Sequence, residues 1–217
     1  MIKLALDTSF ENLSICIKKN DSILVNFYSS SKRKNSKIIF TTIDDLLKNT
    51  GLKLEEIDLY IVNCGPGSYT GVRIGMAVIK TFAQVYKKPV IPVNSLELIA
   101  GQIKNENKFN VLLNCTKREV YHANFKIVNN FPFLNSRIFL SNLENFLKES
   151  NNLPFILHRV NPEKRAPEPI FDKLDKIKPD IPLPDAKLLE TIGAEKFKKS
   201  SFDLKSQINP LYIKREI

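Results

Sequence analysis

Gly65-Pro66-Gly67-Ser68-Tyr69-Thr70-Gly71-Val72-Arg73-Ile74-Gly75 stands between two apolar runs, Ile57 to Val62 before it and one reaching Tyr86 after it. Glycine, proline and hydroxyl residues clustered between hydrophobic segments predict a strand, a tight loop and a helix N-terminus. Gly65, Gly67 and Gly71 admit positive φ or close backbone approach. Ser68 or Thr70 can accept a hydrogen bond from the first free helical N–H groups. Two roles follow. Those N–H groups and the helix dipole suit an anion, or the same groups cap a sharp turn. The loop lacks the Gly-Lys-Ser/Thr end of a Walker A loop, and no third glycine completes the dinucleotide spacing. Local chemistry therefore favours the cap over phosphate binding.

Three strand-like runs open the chain: Ile2–Asp7, Leu13–Lys18 and Ile23–Tyr28, the last two separated by the turn Asn20-Asp21. A helix follows, capped by Asn35 or Ser36 and ended by Gly51, with Ile39, Ile43, Leu46 and Leu47 on one face. Ile57–Val62 is the next strand, then the loop, then a helix from about Thr70 to Lys87. Pro89–Val93 reads as a short strand, and Ser95 caps a short helix. The polar stretch Asn105-Glu106-Asn107-Lys108 marks a boundary between domains 1–104 and 105–217. Beyond it come strands at Val111–Cys115, Val120–Val128 and Phe155–Val160, a helix around Leu143–Leu147, and a helix from Asp185 to about Lys199. Asn161–Pro184 carries six prolines and reads as an irregular surface stretch. The order β-β-β-α-β-α-β-α resembles the opening of the actin-like ATPase and ribonuclease H-like fold. The expected class is α/β, with two related halves whose mixed β-sheets are flanked by helices. Such a fold assigns no activity.

Composition sets outer limits. With 217 residues and 43% hydrophobic content the chain can bury a substantial core. No apolar run approaches the roughly 20 residues that span a bilayer, and the N-terminus begins on a strand pattern rather than a signal peptide. Cys16, Cys64 and Cys115 are odd in number and widely spaced, which gives neither a disulfide framework nor a metal site. A reducing cytoplasm is the expected location. The net charge of +10 favours an anionic partner, yet 26 of the 33 basic residues are lysine and they are spread along the chain. Lys32-Arg33-Lys34 is the densest basic run and reads as a solvated loop.

The eleven-residue stretch resembles the Gly-Pro-Gly-Ser-Phe/Tyr-Thr-Gly-x-Arg-x-Gly signature of the bacterial TsaB (YeaZ) family, with Tyr69 in the aromatic slot. Ile2–Ser9 resembles the family's first strand with its Asp-Thr. Lys117-Arg118-Glu119-Val120-Tyr121 is similar to its Arg-x-Gly-Glu-Val-Tyr segment without the glycine, and Pro210–Lys214 to its closing Pro-x-Tyr-Leu-Arg. The resemblance implies a non-catalytic scaffold in the making of threonylcarbamoyladenosine in tRNA, without a cofactor. It would support TsaD as a heterodimer, with the TsaE ATPase joining, tRNA bound through the complex, and a homodimer when alone. Two competing readings are a nucleotide-dependent enzyme acting alone through Asp7 and the glycine loop, and a tRNA-binding module relying on its charge.

The helix after the signature carries apolar residues around most of its circumference, more than one sheet can cover. Either it and the preceding helix bury one another, or they present a face to another subunit. The resemblance implies the second. The expected interface comprises Ile38, Phe40, Met76, Ile79 and Phe82, with Met76, Ile79 and Phe82 turned outward. Arg73 lies in a first helical turn, where the dipole disfavours a cation; it pairs either with Asp44 or Asp45, or with the partner or a nucleotide. Asp7 is a turn-forming residue or, less in keeping with its neighbours, a Mg²⁺ ligand. The catalytic TsaD family holds its metal with two histidines at helical spacing, whereas this chain has only His122 and His158, in separate strands. Arg33-Lys34-Asn35 stands where the resemblance implies Arg-x-His. No catalytic or metal-binding residues are expected.

Overall fold

The structure is a computed structural model and describes residues 1–10, 12–30, 36–104, 106–116, 118–149, 154–158, 184–199, 209–211 and 213. The basic run at 32–34, the Arg33-Lys34-Asn35 segment, Lys117, Tyr212, Lys214 and most of Asn161–Pro184 lie outside them. The chain divides into two compact units. Met1–Ser95 and Pro184–Leu211 form the first, and the second is built on Leu96–Leu183.

In the first unit, strands β1 (Ile2–Asp7), β2 (Leu13–Lys19), β3 (Ser22–Ser29), β4 (Leu59–Asn63) and β5 (Val90–Val93) form one sheet in the order β3-β2-β1-β4-β5. β1, β2 and β3 run antiparallel, while β1, β4 and β5 run parallel. This is the mixed, actin-like and ribonuclease H-like arrangement expected. Asn20 adopts a positive φ in the β2–β3 turn. All six residues of β1 are buried because both sheet faces are covered. Helices α1 (Ser36–Thr50) and α2 (Tyr69–Tyr86) lie over Leu4, Leu6, Ile15, Ile17, Tyr60 and Val62. Gly51, at φ +68, ends α1 in the left-handed conformation that glycine adopts without strain.

The opposite face of that sheet carries Lys3, Ala5, Cys16, Lys18 and Ile61, by strand alternation. Against it packs the last helix, α5 (Ala186–Lys199); helices α3 (Ser95–Ala100) and α4 (Leu143–Glu149) precede it in the chain. Asp185 caps α5 by accepting from Leu188 N at 2.9 Å, and Ala186 N donates to Ser14 Oγ at 2.9 Å. A Cβ at Gly193 would fall 2.4 Å from the Ile61 side chain, so the helix approaches the sheet as closely as glycine permits. Glu190, 1% exposed, meets Lys3 Nζ at 2.6 Å and also pairs with Lys18 Nζ. Neither carboxylate oxygen has a hydrogen-bond partner of good angle, so attraction to the two ammonium groups compensates its burial. Burial first, and Glu190 second, push the Cys16 thiol up to about 11, leaving it protonated and unreactive. The units therefore do not follow a single cut at residue 104: the C-terminal helix completes the first sheet.

In the second unit, β6 (Lys108–Asn114) pairs in parallel with β10 (Phe155–His158) and antiparallel with the long β7 (Glu119–Val128). The far edge of β7 is shared by β8 (Phe131–Leu134), opposite its second half, and β9 (Phe139–Asn142), opposite its first. Phe109 stacks on Phe125 on one face. On the other, His122 lies against Phe139 and Phe146, with ring centroids 5.4 and 4.6 Å away, and Nε2 is 2.8 Å from Ser141 Oγ. Burial lowers its pKa to about 4. The unfolded chain, with an ordinary histidine, binds that proton from about pH 6.5 downward, so folding loses stability as pH falls from 6.5 towards 4. The expected loss is on the order of 2–3 kcal/mol. His122→Phe should flatten that part of a urea-stability profile against pH, and an unchanged slope would contradict it.

Candidate functional site

The signature loop is fastened to the ends of β1 and β4 by a closed set of hydrogen bonds. Asp7, 0% exposed, accepts from Ser9 N (2.8 Å) and Ser9 Oγ (2.7 Å) through Oδ1, and from Asn63 Nδ2 (3.1 Å) through Oδ2. Asn63 Nδ2 also lies 2.6 Å from Ser9 Oγ, while Asn63 Oδ1 accepts from Gly65 N at 2.9 Å and Ser95 Oγ at 3.0 Å. Ser95 N donates to Gly65 O, and Ser68 N donates to Ser9 O. Asp7, Ser9, Asn63 and Ser95 are all buried, so each bond replaces water that the site excludes. Asp7 thus bonds the N–H two residues on, as its turn-forming role requires.

The glycines serve contact with the β1–β2 corner. A Cβ on Gly67 would lie 2.4 Å from Ser9 O, one on Gly71 2.0 Å from Thr8 O, and one on Gly75 2.3 Å from Thr8 Oγ1. Thr8 Oγ1 donates to Gly71 O at 2.7 Å. Of the two expected caps Ser68 is the one used, accepting from Gly71 N at 3.2 Å. The N–H groups of Gly65, Ser68 and Gly71 are therefore committed to acceptors within the chain. Pro66 is buried beside Gly65, whose φ is +93. The C-terminal Leu211 reaches the same place, its N–H donating to Cys64 O at 2.9 Å.

Tyr69, Thr70 and Arg73 face outward from the first turns of α2. The Arg73 guanidinium lies 4.1 Å above the Tyr69 ring centroid, a cation–π contact. Asp44, one expected partner for Arg73, instead pairs with Lys48 one turn along α1, at 2.5 Å.

The expected outward face of α2 is corrected by the packing. Met76, Ile79 and Phe82 are buried against the sheet and α1. Phe82 meets Tyr60 of β4 at 6.0 Å and Phe40 of α1 edge-on at 5.6 Å. The helix had two apolar faces, and the sheet took the one that also carries Gly71 and Gly75, because only glycines permit that close an approach. Val85, 64% exposed, lies on the outer side with Ala77 and Thr81. On α1, Phe40 is 41% exposed and Ile38 half-buried, while Ile39, Ile43 and Leu47 are core. Of the five expected interface residues, Ile38 and Phe40 reach the surface and the three on α2 do not.

Sequence reading missed Asn63, the hub of the network, and Glu190. Asn63 ends an apolar strand immediately before Cys64-Gly65, and a polar residue closing a buried run beside a glycine turn was its only signal. His122 is a packed aromatic neighbour rather than part of a histidine pair, and His158 lies on β10, across β6 from it. Among the described residues no group of three or more His, Cys, Asp or Glu is placed to hold a metal ion, and no helix is long and apolar enough to cross a membrane.

Residues 22–131, just over half of the chain, match the family model described as TsaD: tRNA N6-adenosine threonylcarbamoyltransferase. A Bacillus subtilis protein named tRNA threonylcarbamoyladenosine biosynthesis protein TsaB is 34% identical over 101 residues, which cover 46% of this chain and 44% of that protein. The Haemophilus influenzae protein of the same name is 37% identical over 98 residues, covering 45% and 41%. The chain thus spans under half the length of these relatives. The structure of YeaZ from Pseudomonas aeruginosa superposes with a TM-score of 0.78 over 98% of this chain and 99% of that one, at 21% identity, and shares the fold. On the matched half, the relatives named TsaB and the signature at 65–75, the chain belongs to the family of the matching model and, within it, to the TsaB (YeaZ) family.

Proposed function

We propose that this chain is a non-catalytic supporting subunit in the synthesis of threonylcarbamoyladenosine in tRNA, holding the TsaD transferase in its working shape, with TsaE as a further member of the assembly. The observation that carries this reading is Asp7. The one acidic residue at the end of the first strand is fully buried, and Ser9 and Asn63 occupy both of its oxygens. A carboxylate so engaged fastens the loop; it does not face a substrate. The names of the relatives supply the pathway.

The clip gives the supporting role a physical form. It locks the N-terminus of α2 to the sheet, so the outer surface formed with α1 is rigid before anything docks, and rigid surfaces lose little freedom on association. Phe40, which meets Phe82, and Val85 supply its apolar part, with Tyr69 and Arg73 at the other end of α2 and Ile38 on the far flank of α1. Aromatic and arginine side chains are the usual anchors of such contacts.

The test is co-expression with TsaD of the same organism, followed by sizing. A one-to-one complex is expected, and Phe40→Glu combined with Val85→Glu should weaken it at least about tenfold, the cost of one unpaired charge at a buried contact. The melting temperature of the isolated variant should fall by only a few degrees, because both positions are largely exposed. Calorimetric titration with ATP and Mg²⁺ separates this reading from an enzyme acting alone: micromolar binding with turnover would overturn it.

A further inference from the structure

Outside the signature, the least explained surface belongs to the β7–β8 hairpin. Its two-residue turn, Asn129-Asn130, has φ of 52 and 64, the mirror-image turn that asparagine tolerates and that matches strand twist. Strand register then decides which side chains stand together. Lys126 lies opposite Lys108 on one side and Phe133 on the other, and Val128 lies opposite Phe131. Directly opposed residues, and residues two apart on a strand, share a face. Lys108, Lys126, Val128, Phe131 and Phe133 therefore form one surface. Phe133 is 55% exposed, Val128 and Lys108 are exposed, and Phe131 is partly so. Lys126 Nζ stands 4.9 Å from the Phe133 ring centroid. The next row, Asn110 and Asn124, is joined by a side-chain hydrogen bond and makes the floor firm.

Burial does not explain Phe133, whose ring has the Lys126 ammonium group beside it, with Lys108 opposite Lys126 on the next strand. Lysine is depleted in protein–protein interfaces, so the pairing does not suit a protein partner. Two aromatic rings two residues apart on an edge strand, Phe133 exposed and Phe131 partly so, with lysines on the same face, match single-stranded RNA: bases stack on the rings and phosphates meet the ammonium groups. From Lys104 to Arg137 the sequence carries six basic and two acidic residues, a local excess of positive charge along the chain. We infer that this face of β6, β7 and β8 is a docking platform for single-stranded RNA, with bases on Phe131 and Phe133 and phosphates at Lys108 and Lys126. That the RNA belongs to a tRNA rests on the function proposed above; the platform itself does not. Lysine reads charge rather than base edges, so binding is tolerant of sequence and steep in salt.

The experiment measures fluorescence anisotropy of a labelled octauridylate and of a tRNA transcript with the full chain. Phe133→Ala should weaken binding about tenfold, and Phe133→Leu should do the same, because bulk without a ring cannot stack. Lys108→Ala with Lys126→Ala should lower the slope of log affinity against log salt by about 1.4, the single-strand value for two contacts. The inference is overturned if wild type binds neither RNA, if Phe133→Leu binds like wild type, or if the lysine pair leaves the slope unchanged. A chain that captures TsaD but binds no RNA removes this inference and leaves the assembly reading. A chain that binds RNA through these residues but captures no TsaD does the reverse.

Discussion

Ile79→Glu is expected to unfold the first unit rather than to weaken assembly. Ile79 is 0% exposed and lies in the cluster with Leu4, Tyr60 and Phe82. The substitution removes a branched side chain from a packed core, worth about 2–5 kcal/mol when truncated. It also places a carboxylate where no partner waits, which adds further cost. A total of at least about 4 kcal/mol is expected, near the upper end for single substitutions. In a chain of this size that lowers the melting temperature by roughly 8–16 °C, if the protein folds at all. Phe40→Glu alone should cost about 1 kcal/mol, chiefly its edge-on contact with Phe82. Melting curves of the two isolated variants make the comparison. If Ile79→Glu melts with wild type, the packing of α2 described above is wrong.

Glu190→Ala is the second large effect. It leaves Lys3 and Lys18 with their ammonium groups close together and nearly buried, and loss of one partner of a buried ionic group costs about 3–5 kcal/mol. Replacing all three at once, Lys3→Met, Lys18→Met and Glu190→Leu, should recover most of that loss, because an apolar trio of similar volume needs no compensation. Urea unfolding followed by circular dichroism reads both. A midpoint for Glu190→Ala within about 1 kcal/mol of wild type would show that water reaches the two lysines. The cluster is therefore expected to specify where α5 docks more than to add stability.

Periodicity made most of the first unit legible. β1 to β5, α1 and α2 stand within a residue or two of where alternation, Gly51 and the signature placed them, because each has a strong local signal at both ends. β8 and β9 were not read: they are four residues each, their apolar residues do not alternate cleanly, and they exist as partners for the two halves of β7. The Asn129-Asn130 turn was the available cue. The clip was half legible. Asp7 and the glycines stand out in sequence, but Asn63 and Ser95 acquire meaning only when parallel pairing brings the ends of β1, β4 and β5 together. The orientation of α2 was not legible at all, since two apolar faces compete and glycine contact with Thr8 decides between them. Glu190 lies 187 residues from Lys3, beyond any local pattern.

The first unit is written in two pieces, Met1–Ser95 and Pro184–Leu211, with the second unit inserted between them. As the chain is made from its N-terminus, Lys3, Ala5, Cys16 and Ile61 have no helix to cover them until Ala186–Lys199 has been synthesised. Every residue of the intervening unit must leave the ribosome before Glu190 and Gly193 can close that face. The nascent chain thus passes through a long interval with buried-type lysines solvated and one side of a twisted sheet bare. The positive charge of those lysines is then an asset, since a charged bare face resists the edge-to-edge and face-to-face association that an apolar one would invite. The ion cluster that adds little to the finished fold leaves the unfinished one with a charged face rather than an apolar one.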